Sequence, residues 1–310
     1  TFWMIDLTLP GWIAAALIHS SFIGLGMALV PPKKGRQLAL IGIMTLIELA
    51  RWRFPFGGVP LATIPIGQAS GPIAPVAKVA GPLLIVSITI AAGCLISSVI
   101  RSPKKAVKPI IFALLLTIAI GTITTVAPDG REVESINVAM VQGGGPQRTR
   151  ATPTGAAIVF ANQVSATESV QTPVDLVVWP ENVVNPDPDL PKADRNPSRL
   201  YADDARSTLE DISKSLDTVF AAGWFHQDPE NSNSNLNYVE VLEPDGQIAG
   251  KFDKVRTVPF GEFVPLRSFV ERFAKDSLPA RDVLPGTEPA VIETSLGKLG
   301  VVISWEVFFE

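Results

Sequence analysis

The stretch KFDKVRTVPFGEFVP, residues 251–265, decides how the second half of this chain is read. Its first residues close a longer run, NYVEVLEPDGQIAGKFDK (237–254). Alternation on both sides of a central Pro-Asp-Gly predicts two strands joined by a turn. Lys254 therefore stands where a strand ends, and Glu262 follows in an apolar loop. Two other apolar runs finish in the same way. VVWPEN leads to Glu181, and GVVISWE leads to Ser304 and Glu306. The run Gly300-Val301-Val302-Ile303 reads as a short, buried, β-branched strand that delivers Ser304. Any one of these ends could be an ordinary turn or a surface charge. Three together stand where a layered α/β domain presents its chemistry.

The surrounding sequence supports such a domain. SINVAMVQGG (135–144), VDLVVWPE (174–181) and TVFAAGW (218–224) read as strands, and PAVIETSLGKLGVVIS (289–304) as two more. Residues 154–170 and 200–217 have helical character, and NSNSN (231–235) reads as a loop. Strands alternating with helices predict α/β layers.

The first half has a different chemistry. Residues 1–127 hold ten Lys/Arg against two acids, Asp6 and Glu48, whereas residues 128–310 hold sixteen against twenty-eight. Four segments have the apolar character of spans: Trp12–Val30, Leu38–Arg51, Leu83–Ile100 and Ile110–Val126. The second is the shortest and carries Glu48. Four buried helices of a soluble domain are the alternative, disfavoured by the near absence of charge within the segments. The basic loops PPKKGR (31–36) and RSPKKAVK (101–108) are expected on the cytoplasmic side. Loop 52–80 and everything after 127 then fall on the outer side. The expected architecture is an α-helical transmembrane bundle of about four spans over 1–127, followed by an α/β domain over 128–310. Basic residues confined to short loops exclude a nucleic-acid interface. A single cysteine, Cys94, excludes a disulfide framework. His19 and His226 stand far apart, so no metal site is expected.

A Glu after Trp-Pro, a Lys within K-x-x-x-V-P-F-G-E-F-V-P, and a strand end followed by an aromatic and Glu resemble the nitrilase superfamily. VPFGEFVP after membrane helices resembles its membrane-bound branch, the bacterial apolipoprotein N-acyltransferases. ELARWRFPFGGVP, GQASGPIAPVAKVAGP and INVAMVQGG are similar to that family's stretches in the same order, over roughly 38–310. The resemblance implies an αββα sandwich carrying a Glu-Lys-Cys triad. Glu181 would be the general base, Lys254 the stabiliser of an oxyanion, and position 304 the nucleophile. Glu262 and Glu306 would support the site. Asn237, Trp305, Phe260 and Phe263 are expected on the substrate side.

The same resemblance implies transfer of a fatty acyl chain from a phospholipid to the enzyme as a thioester. The N-terminal amine of a diacylglyceryl-cysteine apolipoprotein then takes the chain. No cofactor is expected, and the location implied is the bacterial cytoplasmic membrane, with the catalytic domain outside. One departure matters. The family has Cys at the nucleophile and this chain has Ser304, whose hydroxyl is far harder to ionise than a thiol of pKa ~8.5. The resemblance therefore implies an inactive or nearly inactive form, with a natural serine enzyme as the alternative. It also implies further spans before this sequence, and more of the sandwich and a last span after it. A membrane-tethered amidase and a non-catalytic lipid-binding relative are the other functions the motifs allow.

Overall fold

The computed structural model describes residues 9–61, 63–127, 130–146, 151–188 and 190–309. It divides into two compact units, one up to Glu132 and one from Val133 to Phe308. The domain boundary expected at 127/128 falls on Pro128 and Asp129, outside the described residues.

The first unit is helical: α1 (Leu9–Leu29), α2 (Arg36–Arg53), α3 (Ala77–Arg101) and α4 (Val107–Val126). Gly26 lets α1 close on α2, since a Cβ there would lie 2.9 Å from Ile47 Cγ1. Hydroxyls tie α2 to α3, with Thr45 and Ser87 oxygens 2.9 Å apart. α3 bends where Gly81, at φ 66°, precedes Pro82. Val76, Ile85 and Ile88 pack with Leu116, Ile120 and Ile123 of α4. Among the described residues three helices are long and apolar enough to cross a membrane: Leu9–Leu29, Ala74–Arg101 and Val107–Val126. The second segment does form a helix, but its eighteen residues include Arg36, Glu48, Arg51 and Arg53, so it fails on composition.

The second unit is built on a six-stranded sheet, β1 (Val138–Met140), β2 (Leu176–Val178), β3 (Val219–Gln227), β4 (Ser234–Leu242), β5 (Ile248–Asp253) and β6 (Asp282–Val283). The first five lie in chain order, and β6 pairs with the start of β4. β1, β2 and β3 are parallel, while β3, β4 and β5 alternate in direction. The Pro-Asp-Gly turn forms as expected, with Gly246 at φ 82°.

Side chains alternate between the faces of a strand. On one face Trp179, Phe220, Trp224 and Leu242 pack with Phe160 of α5 (Pro153–Thr167) and Leu209 of α6 (Ala202–Leu216). Such side chains each contribute about 1.5–3 kcal/mol of burial. On the other face Val219, Ala221, Val241 and Phe252 pack with Ile292 and Ile303. Ile292 belongs to a second, two-stranded sheet, β7 (Val291–Thr294) with β8 (Gly297–Gly300). The layers are thus helices, sheet, sheet.

One expected strand is absent. β8 ends at Gly300; the Val301 N–H still donates to the Ala290 carbonyl at 2.9 Å, but Val302 and Ile303 lie outside the strand, with Val302 58% exposed. The reason is local. The Ile303 N–H donates to the Glu306 carboxylate at 2.9 Å, which turns the chain into a short 3-10 segment, Ser304–Phe308.

Candidate active site

The strand directions bring the singled-out residues to one end of the sheet. β2, β3 and β5 finish there and β4 starts there, so Glu181, Asn237 and Lys254 share that end. Asn237 and Lys254 are neighbours across the β4–β5 pair, where the Lys254 N–H donates to the Asn237 carbonyl at 2.9 Å. Their side chains lie on the face of Val241 and Phe252, away from α5 and α6.

Lys254 is 1% exposed. Its ammonium donates to Glu181 Oε1 at 2.9 Å and to Glu262 Oε1 at 2.8 Å. Asn237 spans the same two carboxylates, its Nδ2 reaching Glu181 at 2.8 Å and Glu262 at 2.7 Å. A buried ammonium is tolerable only with such partners. Two donor groups hold two carboxylates side by side, against their mutual repulsion. Glu181 keeps 31% of its side chain exposed and Glu262 keeps 12%. Glu181 is therefore the carboxylate open to an incoming group, and Glu262 the one built into the wall.

Glu262 is fixed along its whole length. Its Oε2 accepts from the Val258 N–H at 2.7 Å, and its carbonyl accepts from Val283 of β6 at 2.7 Å. Asp282, beside Val283, takes the Val264 N–H at 3.0 Å and pairs with Arg267. The loop that begins at Lys254 is thereby fastened at its far end.

Ser304 lies at the head of the 3-10 segment, exposed, with φ 54°. Its neighbours are latched to the residues just after Lys254. Glu306 accepts from the Val255 and Arg256 N–H groups, each at 2.8 Å, besides the Ile303 amide. The buried Trp305 donates its indole N–H to the Arg256 carbonyl. A left-handed residue between two latched neighbours presents its side chain on a sharp corner. The hydrogen bonds of Glu181 and Lys254 run to Asn237, Glu262 and each other, not to Ser304. The structure thus brings Glu181, Asn237, Lys254 and Glu262 into direct contact. It fastens Glu306 and Trp305 to the segment that follows Lys254.

The apolar loop divides. Phe260 and Phe263 are half-buried, and Val264 and Pro265 are buried. Leu266 and Phe269, 69% and 57% exposed, carry the outward apolar surface, at the start of α7 (Arg267–Ala274).

Two glycines that the motif reading passed over shape the site. A Cβ on Gly223 of β3 would stand 2.5 Å from the Pro180 carbonyl and 2.7 Å from Glu181 Cα. A Cβ on Gly286 would stand 2.3 Å from the Asp253 carbonyl, and the Gly286 N–H donates to the Lys254 carbonyl at 2.9 Å. The available signal was an isolated glycine inside a strand pattern, AAGW, which marks close backbone approach.

The carbon-nitrogen hydrolase family profile matches residues 137–310. The apolipoprotein N-acyltransferase of Geobacter metallireducens is 28% identical over 67% of this chain and 38% of its own length. That of Azotobacter vinelandii is 25% identical over 97% of this chain and 55% of its own. The chain spans roughly half or less of the length of these curated relatives. Among solved structures, a carbon-nitrogen hydrolase from Helicobacter pylori G27 is 18% identical, covering 55% of this chain and 52% of its own, with a TM-score of 0.35.

Proposed function

The chain belongs to the carbon-nitrogen hydrolase family, and from that membership we propose that its pocket transfers acyl groups to lipoproteins by way of a covalent enzyme. The relatives named apolipoprotein N-acyltransferase support lipoprotein N-acylation as the general activity. The observation that carries the finer reading is Lys254, a 1%-exposed ammonium held between an accessible and a buried carboxylate.

In this reading the side chain at 304 attacks an ester carbonyl of a phospholipid, and Glu181 takes its proton. Negative charge gathers on the former carbonyl oxygen, where a fixed ammonium is worth most in a dry site. The C–O bond breaks, and the lysophospholipid alcohol leaves with the proton held by Glu181. The amine of a diacylglyceryl-cysteine then attacks the acyl-enzyme, Glu181 takes a proton from it, and an amide forms as the side chain at 304 leaves and is reprotonated. Glu262 and Asn237 hold Glu181 and Lys254 in register. Exposed Leu266 and Phe269 on the loop beyond Glu262 suit a lipid donor.

Serine at 304 limits the first step. Its proton is held far more tightly than a thiol's, and one carboxylate is a weak base for it. The test is intact-protein mass spectrometry of the full-length protein and its Ser304→Cys variant after exposure to phospholipid vesicles. The variant is expected to gain one fatty-acyl mass, labile to neutral hydroxylamine, and to lose it when a diacylglyceryl peptide with a free amine is added. The serine form is expected to acylate slower by several powers of ten. Equal rates would make serine a competent nucleophile. Phospholipid binding without acylation in either form would favour a non-catalytic lipid-binding protein.

A further inference from the structure

Beyond Glu181 the chain returns to β3 and then leaves it. The Val184 N–H donates to the Gly223 carbonyl at 3.1 Å, and the Phe225 N–H to the Val184 carbonyl at 2.9 Å, as in a parallel ladder. The next rung needs an N–H at position 186, and Pro186 has none. The ladder ends there. Asp187 donates its N–H to the Leu200 carbonyl at 2.8 Å instead, and Pro188 follows. A cavity of about 270 Å³ opens in the wedge, between Pro186, Asp187 and Pro188 and the end of β3 with His226, Gln227 and Asp228. It lies at the end of the sheet that carries Glu181 and Lys254, and the proposed chemistry does not use it.

Its polar groups are unequally answered. Asp187 is paired with Arg199 at 2.7 Å. Both nitrogens of His226 are engaged, Nδ1 donating to the Gln227 carbonyl at 2.7 Å and Nε2 lying 3.0 Å from the Tyr238 hydroxyl. Arg281, on the Ser232 side, donates to the Ser232 carbonyl at 2.8 Å. Asp228 is 8% exposed, and its Oδ1 accepts from the Glu230 N–H at 2.9 Å. Its Oδ2 has no partner among the described residues, and it is not sealed, since Asp228 lines the cavity. A buried carboxylate oxygen is costly unless something donates to it. Among the described residues no cluster could hold a metal ion. The fitting ligand is therefore an organic cation that brings its own N–H donors. The proline rings offer apolar walls for the methylene stem of such a group.

We propose that this cavity takes the side chain of a lysine or arginine in the polypeptide part of the acceptor, with Asp228 as its counter-charge. The proposal rests on the acyl-transfer reading, which supplies a peptide whose N-terminal amine sits at Glu181. Gly223 abuts Glu181, and Asp228 follows five residues on, just past the end of β3. That is about 16 Å at the rise of a strand. An extended peptide covers about 3.3–3.6 Å per residue. The basic residue then falls four or five places after the acylated cysteine.

The test is binding of fluorescent diacylglyceryl-cysteine peptides to the full-length serine protein in detergent, read by anisotropy, so that no turnover is needed. One peptide carries no charge after the cysteine. In the others a single lysine moves from two to eight places after it. Lysine at the fourth or fifth place is expected to tighten binding about tenfold, the lower end for a hydrogen bond to a charged group. Asp228→Asn keeps an oxygen for the Glu230 N–H and removes the charge. It is expected to erase the lysine advantage, to leave the lysine-free peptide's affinity unchanged, and to keep the parent's unfolding temperature. A scan with no maximum in the parent protein would overturn the proposal and leave the acyl-transfer reading standing. So would an undiminished advantage in folded Asp228→Asn. Absence of binding by every peptide would sink both readings. Loss of the advantage in millimolar phosphoethanolamine would assign the cavity to a lipid amine headgroup and overturn the peptide source.

Discussion

At the scale of single residues, the site rests on Lys254. Removing it leaves Glu181 and Glu262 facing each other with Asn237 as their shared donor. Lys254→Met is expected to cost about 3–5 kcal/mol of stability in the second unit, as for a buried pair broken on one side. Chemical denaturation followed by tryptophan fluorescence reads this, since Trp179 and Trp224 are buried in that unit. In a Ser304→Cys background the same change is expected to lower the acylation rate by about 10²–10³, the usual loss for one oxyanion donor. Lys254→Met with Glu262→Gln should recover part of the stability but none of the rate. One of the two facing charges is then gone, while the oxyanion still lacks its cation. Recovery of both would mean that Lys254 serves the fold alone.

At the scale of elements, close backbone approach matters as much as polar chemistry. Gly223 permits β3 to lie against Pro180 and Glu181. Gly223→Ala places a methyl 2.5 Å from a carbonyl oxygen, so the Glu181 segment must shift. The expected cost is about 1–3 kcal/mol, read as a lowered denaturation midpoint, with a loss of acylation larger than the stability loss explains. Gly250→Ala is the control. Its Cβ would stand 2.8 Å from the Cγ2 methyl of the buried Ile292, on the core side of β5, and should cost stability alone.

The same elements show what was legible in the sequence. Alternation and turn residues located β4, β5 and their connection, and the polar residues at strand ends located Glu181 and Lys254. The end of the chain was misread because Val301, Val302 and Ile303 have strand composition, whereas their conformation is set by a carboxylate three residues on. Glu306 captures the Ile303 amide as well as those of Val255 and Arg256, and periodicity carries no trace of that competition. The two-residue β6 was equally invisible. It exists because Asp282 and Val283 anchor the Glu262 loop, not because of local propensity.

At the scale of the whole molecule, α2 decides on which side of the membrane the second unit lies. The basic loops 31–36 and 101–108 share a side only if both α2 and α3 cross. α2 fails the composition test for a span, yet its contacts run antiparallel to α3 along its length. Gln37 meets Ser98 and Thr45 meets Ser87. At 1.5 Å per residue its eighteen residues cover about 27 Å, close to a hydrocarbon core. Its central charge is neutralised, since Glu48 is buried and paired with Arg51, while Arg36 and Arg53 stand at the ends where they can reach headgroups. A helix that carries four charged residues can cross when the ones between its ends face partners. Cys94 is buried, so a Cys94→Ala chain offers a clean background for single cysteines. With a membrane-impermeant maleimide on intact bacterial cells, Lys34→Cys and Lys105→Cys are expected to stay unlabelled until the cells are opened. Gln247→Cys, at the β4–β5 turn, is expected to label at once. Labelling of Gln247→Cys only after the cells are opened, as for Lys34→Cys, would place the second unit on the side of that basic loop and overturn the expected orientation.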